Sequence, residues 1–362
     1  MVADRPTLGV EEEFVLVDGD GRLVQEGPET LAESTDPDLD LKAELLRCQV
    51  ESATGVHTDV DALRADLAHS RAELIKAAAG RGLRLLASGT PVHGEHFDAL
   101  LGPDTRYRRM HSRFGSMVFS GLTCGCHVHV EVADREVAVQ VVNHLRPWLP
   151  VLLALSANSP FNDGRDTGYA SARHLLWSRW PTAVPPPYLD SAADYDTRVT
   201  ALVDTTAAMD LKMIYWDVRI SDHLPTIEVR VADVLPTADE AALFGILVRA
   251  LVTEFVALVG RALRAQPVPQ DILRGRLWRA ARDGMSGQCA DPVTGRLRPT
   301  LDIVDDLFAY LDDPAERALA DRVRARWHTA GGGAERQRAA YGKAGSLDDV
   351  VEHIVGETAS GT

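Results

Sequence analysis

Three short stretches of this chain carry residue types that could do chemistry together. Gly9–Phe14 reads Gly-Val-Glu-Glu-Glu-Phe within a run of β-forming residues that includes Val10, Val15, Leu16 and Val17. On a strand, side chains alternate between faces, so Glu11 and Glu13 share one face and Glu12 takes the other. Two carboxylates so placed repel unless a cation lies between them, and hard cations such as Mg²⁺ prefer carboxylate oxygens. Taken alone, the run also fits an exposed edge strand with solvated glutamates. The second stretch, Cys126-His127-Val128-His129-Val130-Glu131, puts two imidazoles and a carboxylate on one strand face. That set suits a transition metal, or simply a polar, half-exposed face. In the third, Ile227-Glu228-Val229-Arg230-Val231, Glu228 and Arg230 share a face and the aliphatic residues pack behind. A Glu–Arg pair of this spacing also fits a surface salt bridge.

All three stretches repeat one pattern, with charged or imidazole groups on one face and apolar residues on the other. Placed side by side in an antiparallel sheet, Glu11, Glu13, His127, Glu228 and Arg230 would line one cavity wall. So many carboxylates on one wall destabilise the fold unless they are neutralised, and several divalent cations would do so. Multiple Mg²⁺ ions with arginines suit a nucleoside triphosphate whose terminal phosphoryl group is being moved. A Walker A loop is missing, and the Gly331–Gly333 run is too short a signal to replace one.

The elements that must position these groups follow from periodicity. Asp18-Gly-Asp-Gly21 predicts a hairpin from the first strand into Arg22–Gln25. Leu39–Thr54 holds a further acidic pair, Glu44 and Glu51. Val56–Gly80 has apolar residues at helical spacing, capped by Thr58 or Asp59, and Leu83–Ser88 reads as a short buried strand. His93 and His96 fall in a loop, where Gly94 argues against a helical zinc motif. Tyr107–Phe119 is basic and helix-compatible, and Thr123–Val132 alternates as a strand. Asp134–Leu155 reads as a helix interrupted at Pro147 and Pro150, and Asn158–Gly168 as a turn-dense loop. Pro181–Pro187 is either a lid or a rigid connector. Trp216–Arg219 and Thr226–Asp233 read as strands joined by a short turn, Ala238–Leu263 as a long amphipathic helix, and the chain from Asp271 onward as mostly helical. A mixed α+β fold with an antiparallel sheet is the simplest account.

At 362 residues, the chain can bury a substantial core in one large domain or two. The 38 basic and 53 acidic residues give a net charge of −15, which argues against nucleic acid or an anionic membrane as partner. Met1–Pro6 holds no apolar run, so no signal peptide is expected. Ala242–Gly260 is broken by Arg249 and Glu254 and reads as a partly buried helix rather than a membrane span. The four cysteines form no pair of pairs that would complete a zinc site, and reduced thiols in the cytoplasm are expected.

The order of motifs resembles the YbdK-like carboxylate–amine ligases, also called glutamate–cysteine ligase type 2, which are related to glutamine synthetase. It runs through GVEEEF (Gly9–Phe14), Glu44 to Thr54, GCHVHV (Gly125–Val130), LPVLLALSANSPF (Leu149–Phe161), WDVR (Trp216–Arg219), TIEVRVADV (Thr226–Val234) and GAERQR (Gly333–Arg338). The resemblance implies a curved, funnel-like antiparallel sheet of the glutamine-synthetase kind flanked by helices. It also implies a single catalytic domain over residues 1–362, helical from about residue 271. ATP and Mg²⁺ (or Mn²⁺) would sit on the sheet, with Glu11, Glu13, Glu44, Glu51 and Glu228 matching metal ligands. His127 matches the strand histidine near metal and phosphates, and Arg230 the phosphate-binding arginine. Arg173 and Arg109 match arginines that contact phosphate or the substrate carboxylate. The implied reaction activates a carboxylate as an acyl phosphate and lets an amine displace phosphate, with glutamate and cysteine as the parent substrates and a homodimer as the assembly. This chain departs from the pattern at Glu131, where a glycine is usual, at Gly89-Thr-Pro-Val92, and at Thr205-Thr206-Ala207. The rival readings are a metal-dependent β-barrel hydrolase or oxygenase using His127, His129 and Glu131, and a ligase-like pseudoenzyme that only binds a small molecule.

Overall fold

The computed structural model describes residues 5–94, 100–119 and 122–362. The first strand, β1 (Leu8–Val17), is not at an edge but lies inside a seven-stranded sheet. The other members are β2 (Asp40–Ala43), β3 (Gln49–Ala53), β4 (Arg84–Leu86), β5 (Gly125–Glu131), β6 (Val218–Ile220) and β7 (Thr226–Asp233). Their order is β2-β3-β1-β5-β7-β6, with β4 pairing the far end of β1, and every pairing is antiparallel. Burying β1 on both sides removes the solvated-glutamate reading, because each glutamate now faces either a packed layer or the cavity wall.

Alternation sorts β1 as expected. Leu8, Val10, Glu12 and Phe14 are buried on the outer face, while Glu11 and Glu13 are only half-buried on the inner one. Glu12 survives on the apolar face because Arg71 meets it there, with Nε 2.9 Å and Nη2 2.5 Å from its two carboxylate oxygens. Arg71 also donates to the carbonyls of Leu235 and Pro236, so none of this buried charge is left unanswered. Arg71 comes from the helix Val60–Gly80, whose N-cap is Asp59, accepting from the Ala62 amide.

Beside that helix runs Ala238–Gly260, capped by Thr237. Among the described helices it is long and apolar enough to cross a membrane, yet its first half is buried nearly all round against β1, β5 and neighbouring helices. It is therefore less amphipathic than its sequence suggests, since a helix between a sheet and other helices has no broad wet face. The interrupted helix appears as Arg135–Leu145 and Leu149–Ser156, joined by the 3₁₀ turn Arg146–Trp148.

Pro181–Pro187 is a packed connector rather than a lid. The Pro185 and Pro186 carbonyls accept from Gln270 and Arg146, and Thr182 Oγ1 bonds the Met213 carbonyl. The C-terminal third, expected to be helical, also contains a hairpin, Gln288–Ala290 with Leu297–Pro299. Its turn is set by Asp291, which accepts from the amides of Val293 and Thr294, and by Gly295 at φ +69°. His93 lies 3.2 Å from Asp348, and His96 lies outside the described residues.

Candidate active site on the inner face of the sheet

Strand register builds the wall. Glu13 stands opposite Glu51, Glu11 opposite His127, and His129 opposite Glu228. The five acidic positions singled out from the sequence therefore meet, but in two groups rather than one. Glu13, Glu44 and Glu51 bring one carboxylate oxygen each within 4.8 Å of one another, and Glu11, His129 and Glu228 do the same with their ligand atoms.

Electrostatics differ between the two groups. In the first, Arg173 and Arg230 act on Glu13 only partly against the mutual repulsion of the carboxylates. Burial, then the nearby Glu44 carboxylate, raises Glu13 to about 7, and the same two causes push Glu51 well above the ordinary carboxylate range. Lys42 Nζ lies 3.8 Å from Glu51. Three converging oxygens with like-charge strain are the donor set that a hard divalent cation satisfies, so the residues fit Mg²⁺ or Mn²⁺.

In the second group, burial of Glu11 is outweighed by hydrogen bonds from His127 and His129, which hold its carboxylate below the usual range. Burial of Glu228 is likewise outweighed, by Arg230 and then Arg219. Arg219 Nε lies 2.6 Å from one Glu228 oxygen, and Arg219 Nη2 and Arg230 Nη1 share the other. His129 bonds Thr226 Oγ1 through Nδ1 at 2.9 Å, which turns Nε2 toward Glu11, 3.6 Å away. His127 sits between the groups, with Nδ1 3.2 Å from Glu11 and Nε2 3.8 Å from Glu13. Burial, then Arg230, lowers the His127 pKa to about 4, so its ring is neutral near pH 7. His127 thus bridges the two groups, while His129 supplies the imidazole of the second group.

Two cavities open on this wall and share Glu11. The first, about 180 Å³, is lined by Glu13, Glu44 and Glu51 and by Arg106, Arg173 and Arg230, with Trp177 and Tyr215. The second, about 580 Å³, opens beyond His129 between Thr7–Val10, Lys42, Val56 and His223–Thr226. Arg173 reaches the first cavity because Ser159 and Ser171 bond the buried Asp233 carboxylate and fix the start of its helix, Ala172–Trp177. Gly125 leaves room for its guanidinium, since a Cβ there would lie 2.3 Å from Arg173 Nη2 and Arg173 would have to shift. The Gly125 amide donates to Glu13 at 2.6 Å.

Some expected members are not brought here. Arg109 is exposed and lines a separate surface groove with Ser112 and Arg113. Its helix, Thr105–Phe114, turns Arg106 and Met110 inward instead, one turn apart, with Arg106 anchored to Asp210 at 2.8 Å. Glu131 ends β5 exposed, accepting from Thr7 Oγ1 at 2.9 Å, and joins neither group. The His127–His129–Glu131 ligand set of a hydrolase or oxygenase is therefore not assembled.

Sequence reasoning also missed residues. Arg219 was legible in principle, since a short turn between Trp216–Arg219 and Thr226–Asp233 sets it opposite Glu228. Arg106, Trp177 and Tyr215 gave no such signal, because long-range packing alone brings them to the wall. The GAERQR and SANSPF motifs are structural here. Gln337 bonds Asn158 at 2.8 Å, and Arg336 pairs with the buried Glu240.

Comparison with known proteins follows the geometry. The sequence model of glutamate–cysteine ligase family 2 matches residues 7–353. A protein of Rhodococcus jostii (strain RHA1), provisionally named glutamate–cysteine ligase 2-1, is 46% identical over 357 residues, spanning 98% of this chain and 97% of its own. A similarly named protein of Nocardia farcinica is 43% identical over 364 residues, 99% of this chain and 94% of its own. Among solved structures, the glutamate–cysteine ligase of Francisella tularensis in complex with AMP superposes with TM-score 0.72 at 12% identity, over 98% of this chain and 89% of that one. A bifunctional glutathione synthetase of Pasteurella multocida gives TM-score 0.66 at 15% identity, over 99% of this chain and 52% of that one. At such identities the likeness is one of fold, and it agrees with the α+β, glutamine-synthetase-like sheet expected from the sequence.

Proposed function

Because the chain belongs to glutamate–cysteine ligase family 2, we propose that it uses ATP to join a carboxylate to an amine, with glutamate as the acid and cysteine or a related amine as the nucleophile. The observation that carries this reading is the inner wall itself, with two carboxylate groups capable of holding metal and arginines at their border. Mg²⁺ or Mn²⁺ held by Glu13, Glu44 and Glu51, and by Glu11, His129 and Glu228, would neutralise phosphate charge there. Arg230 and Arg173 then supply fixed positive charge for the transferred phosphoryl group and the acid being activated. His127, neutral at physiological pH, orients the two carboxylate groups through its ring nitrogens and is not charged with moving a proton. A side-chain nucleophile is unnecessary, since the amine attacks the activated acid directly.

We assign the two cavities to different substrates. The smaller one, with its arginines and aromatic walls, suits an amino acid carrying a carboxylate. The larger one, with Leu8, Val10, Val56 and Leu224 beside Lys42 and Thr7, suits a nucleoside whose phosphates reach Glu11 and His129. The same reading takes residues 1–362 as one catalytic domain, working in the cytoplasm as a homodimer, with Mg²⁺ the usual metal.

Phosphate release from Mg·ATP with glutamate and a panel of amines tests the proposal. Turnover that needs glutamate together with one amine supports it, and Arg230→Ala should lower that turnover at least tenfold, about 1.4 kcal/mol or more of lost transition-state stabilisation. ATP binding without turnover for any acid and amine would favour a ligase-like binding protein instead.

A further inference from the structure

We propose that Asp217 is a positioning residue, the anionic partner that takes over the Arg230 guanidinium when a divalent cation claims Glu228. The proposal rests on reading Glu11, His129 and Glu228 as a metal group.

Register is the first observation. In the β6–β7 ladder Arg219 stands opposite Glu228, and two residues back, just before β6 begins, Asp217 continues the register opposite Arg230, whose amide donates to the Asp217 carbonyl at 2.8 Å. Directly opposed residues of an antiparallel pair point to the same face with Cβ atoms about 5 Å apart. The first pair forms its salt bridge, with Arg219 Nε 2.6 Å from Glu228. The second does not. Arg230 instead reaches along its own strand to Glu228, and Asp217 Oδ2 is buried with no hydrogen-bond partner.

The orphans are the second observation. Arg230 Nε and Arg173 Nε are also buried without partners, and both guanidinium groups are within electrostatic reach of Asp217. A buried carboxylate next to two incompletely bonded arginines is costly unless another arrangement satisfies it. Such an arrangement exists if Arg230 leaves Glu228. In this structure Glu228 has both oxygens occupied by guanidinium groups. A cation bound to Glu228 repels Arg230 at close range; Glu13 and Glu11, the other carboxylates that act on Arg230, belong to the metal groups, which leaves the orphaned Asp217 oxygen to receive it. Arg230 then stays beside the first cavity rather than retreating to solvent.

The test is a Mn²⁺ titration of nucleotide-free protein, followed by electron paramagnetic resonance, on the wild type, Asp217→Asn, Arg230→Gln and the double variant. The wild type is expected to show two classes of site. Asp217→Asn should weaken one class by at least about fivefold and leave the other unchanged, the size of an ordinary coupling between sites. In the Arg230→Gln background the same substitution should change affinity by less than about twofold, the limit of simple additivity. Loss of negative charge alone would weaken binding equally in both backgrounds, and that result, or no effect in the wild type, overturns the proposal. Failure of the wild type to bind Mn²⁺ at all overturns the metal reading and this inference with it. Asp217→Ser takes the same cycle should the Asn variant not fold.

Discussion

Glu13→Gln is expected to lower the ligase rate at least tenfold while making the metal-free protein more stable. The rate loss, about 1.4 kcal/mol or more in the barrier, follows from removing one of three oxygens that converge with Glu44 and Glu51. The stability gain follows from the same convergence. Burial and Glu44 raise the Glu13 pKa from 4.5 to about 7, so folding favours its protonated form. Below the unfolded value the acid is neutral in both states and costs nothing extra. As pH climbs through about 7 the folded carboxylate must ionise beside its neighbours, and stability is lost. Glutamine escapes this, so the variant's advantage should grow from about pH 4.5 to about pH 7, reach roughly 1 kcal/mol or more above that, and be smaller at pH 5. Urea melts at pH 5 and pH 8, with and without Mg²⁺, read the stability, and phosphate release from Mg·ATP reads the rate. Mg²⁺ should stabilise the wild type more than the variant. A variant no more stable than wild type at pH 8, yet fully active, would remove Glu13 from the site.

Arg71→Ala is expected to have the largest effect on stability. Arg71 and Glu12 are both fully buried, and Arg71 donates to two backbone carbonyls besides its two bonds to Glu12. Removing one partner of a buried pair costs about 3–5 kcal/mol, because the other charge is left unanswered. A domain typically has 5–15 kcal/mol in all, so the urea midpoint should fall sharply. The double change Glu12→Leu with Arg71→Met should recover most of the loss, since an apolar pair of similar volume suits the helix-facing side of β1. A single variant with an unchanged midpoint would mean that Glu12 is answered by something other than Arg71.

Much of the wall was legible because strands obey a strict alternation. That rule alone separated Glu11 and Glu13 from Glu12, and Glu228 and Arg230 from the aliphatic residues behind them. It could not say which strands are neighbours, and pairing is what split the ligands into two groups and brought in His129 beside Glu11 and Glu228. Helical positions were harder to read. Arg106 and Arg109 lie three residues apart in a basic run, and only the packing of Met110 and the Asp210 anchor decide which one turns inward. Glu131 failed for a different reason, because it sits at the last residue of its strand, where Thr7 draws it away from the histidines. Asp217 lies in the WDVR motif, and nothing in its spacing marks it, since its buried and unpartnered Oδ2 shows only once the strands are folded together.

On the proposed function, separate β-strands converge their acidic side chains to hold divalent cations. Anomalous diffraction from crystals soaked in Mn²⁺ and an ATP analogue measures this directly. One peak is expected among Glu13, Glu44 and Glu51 and another among Glu11, His129 and Glu228, with analogue phosphates between them and Arg230. Peaks confined to surface carboxylates, with the inner wall bare and the analogue elsewhere, would contradict it.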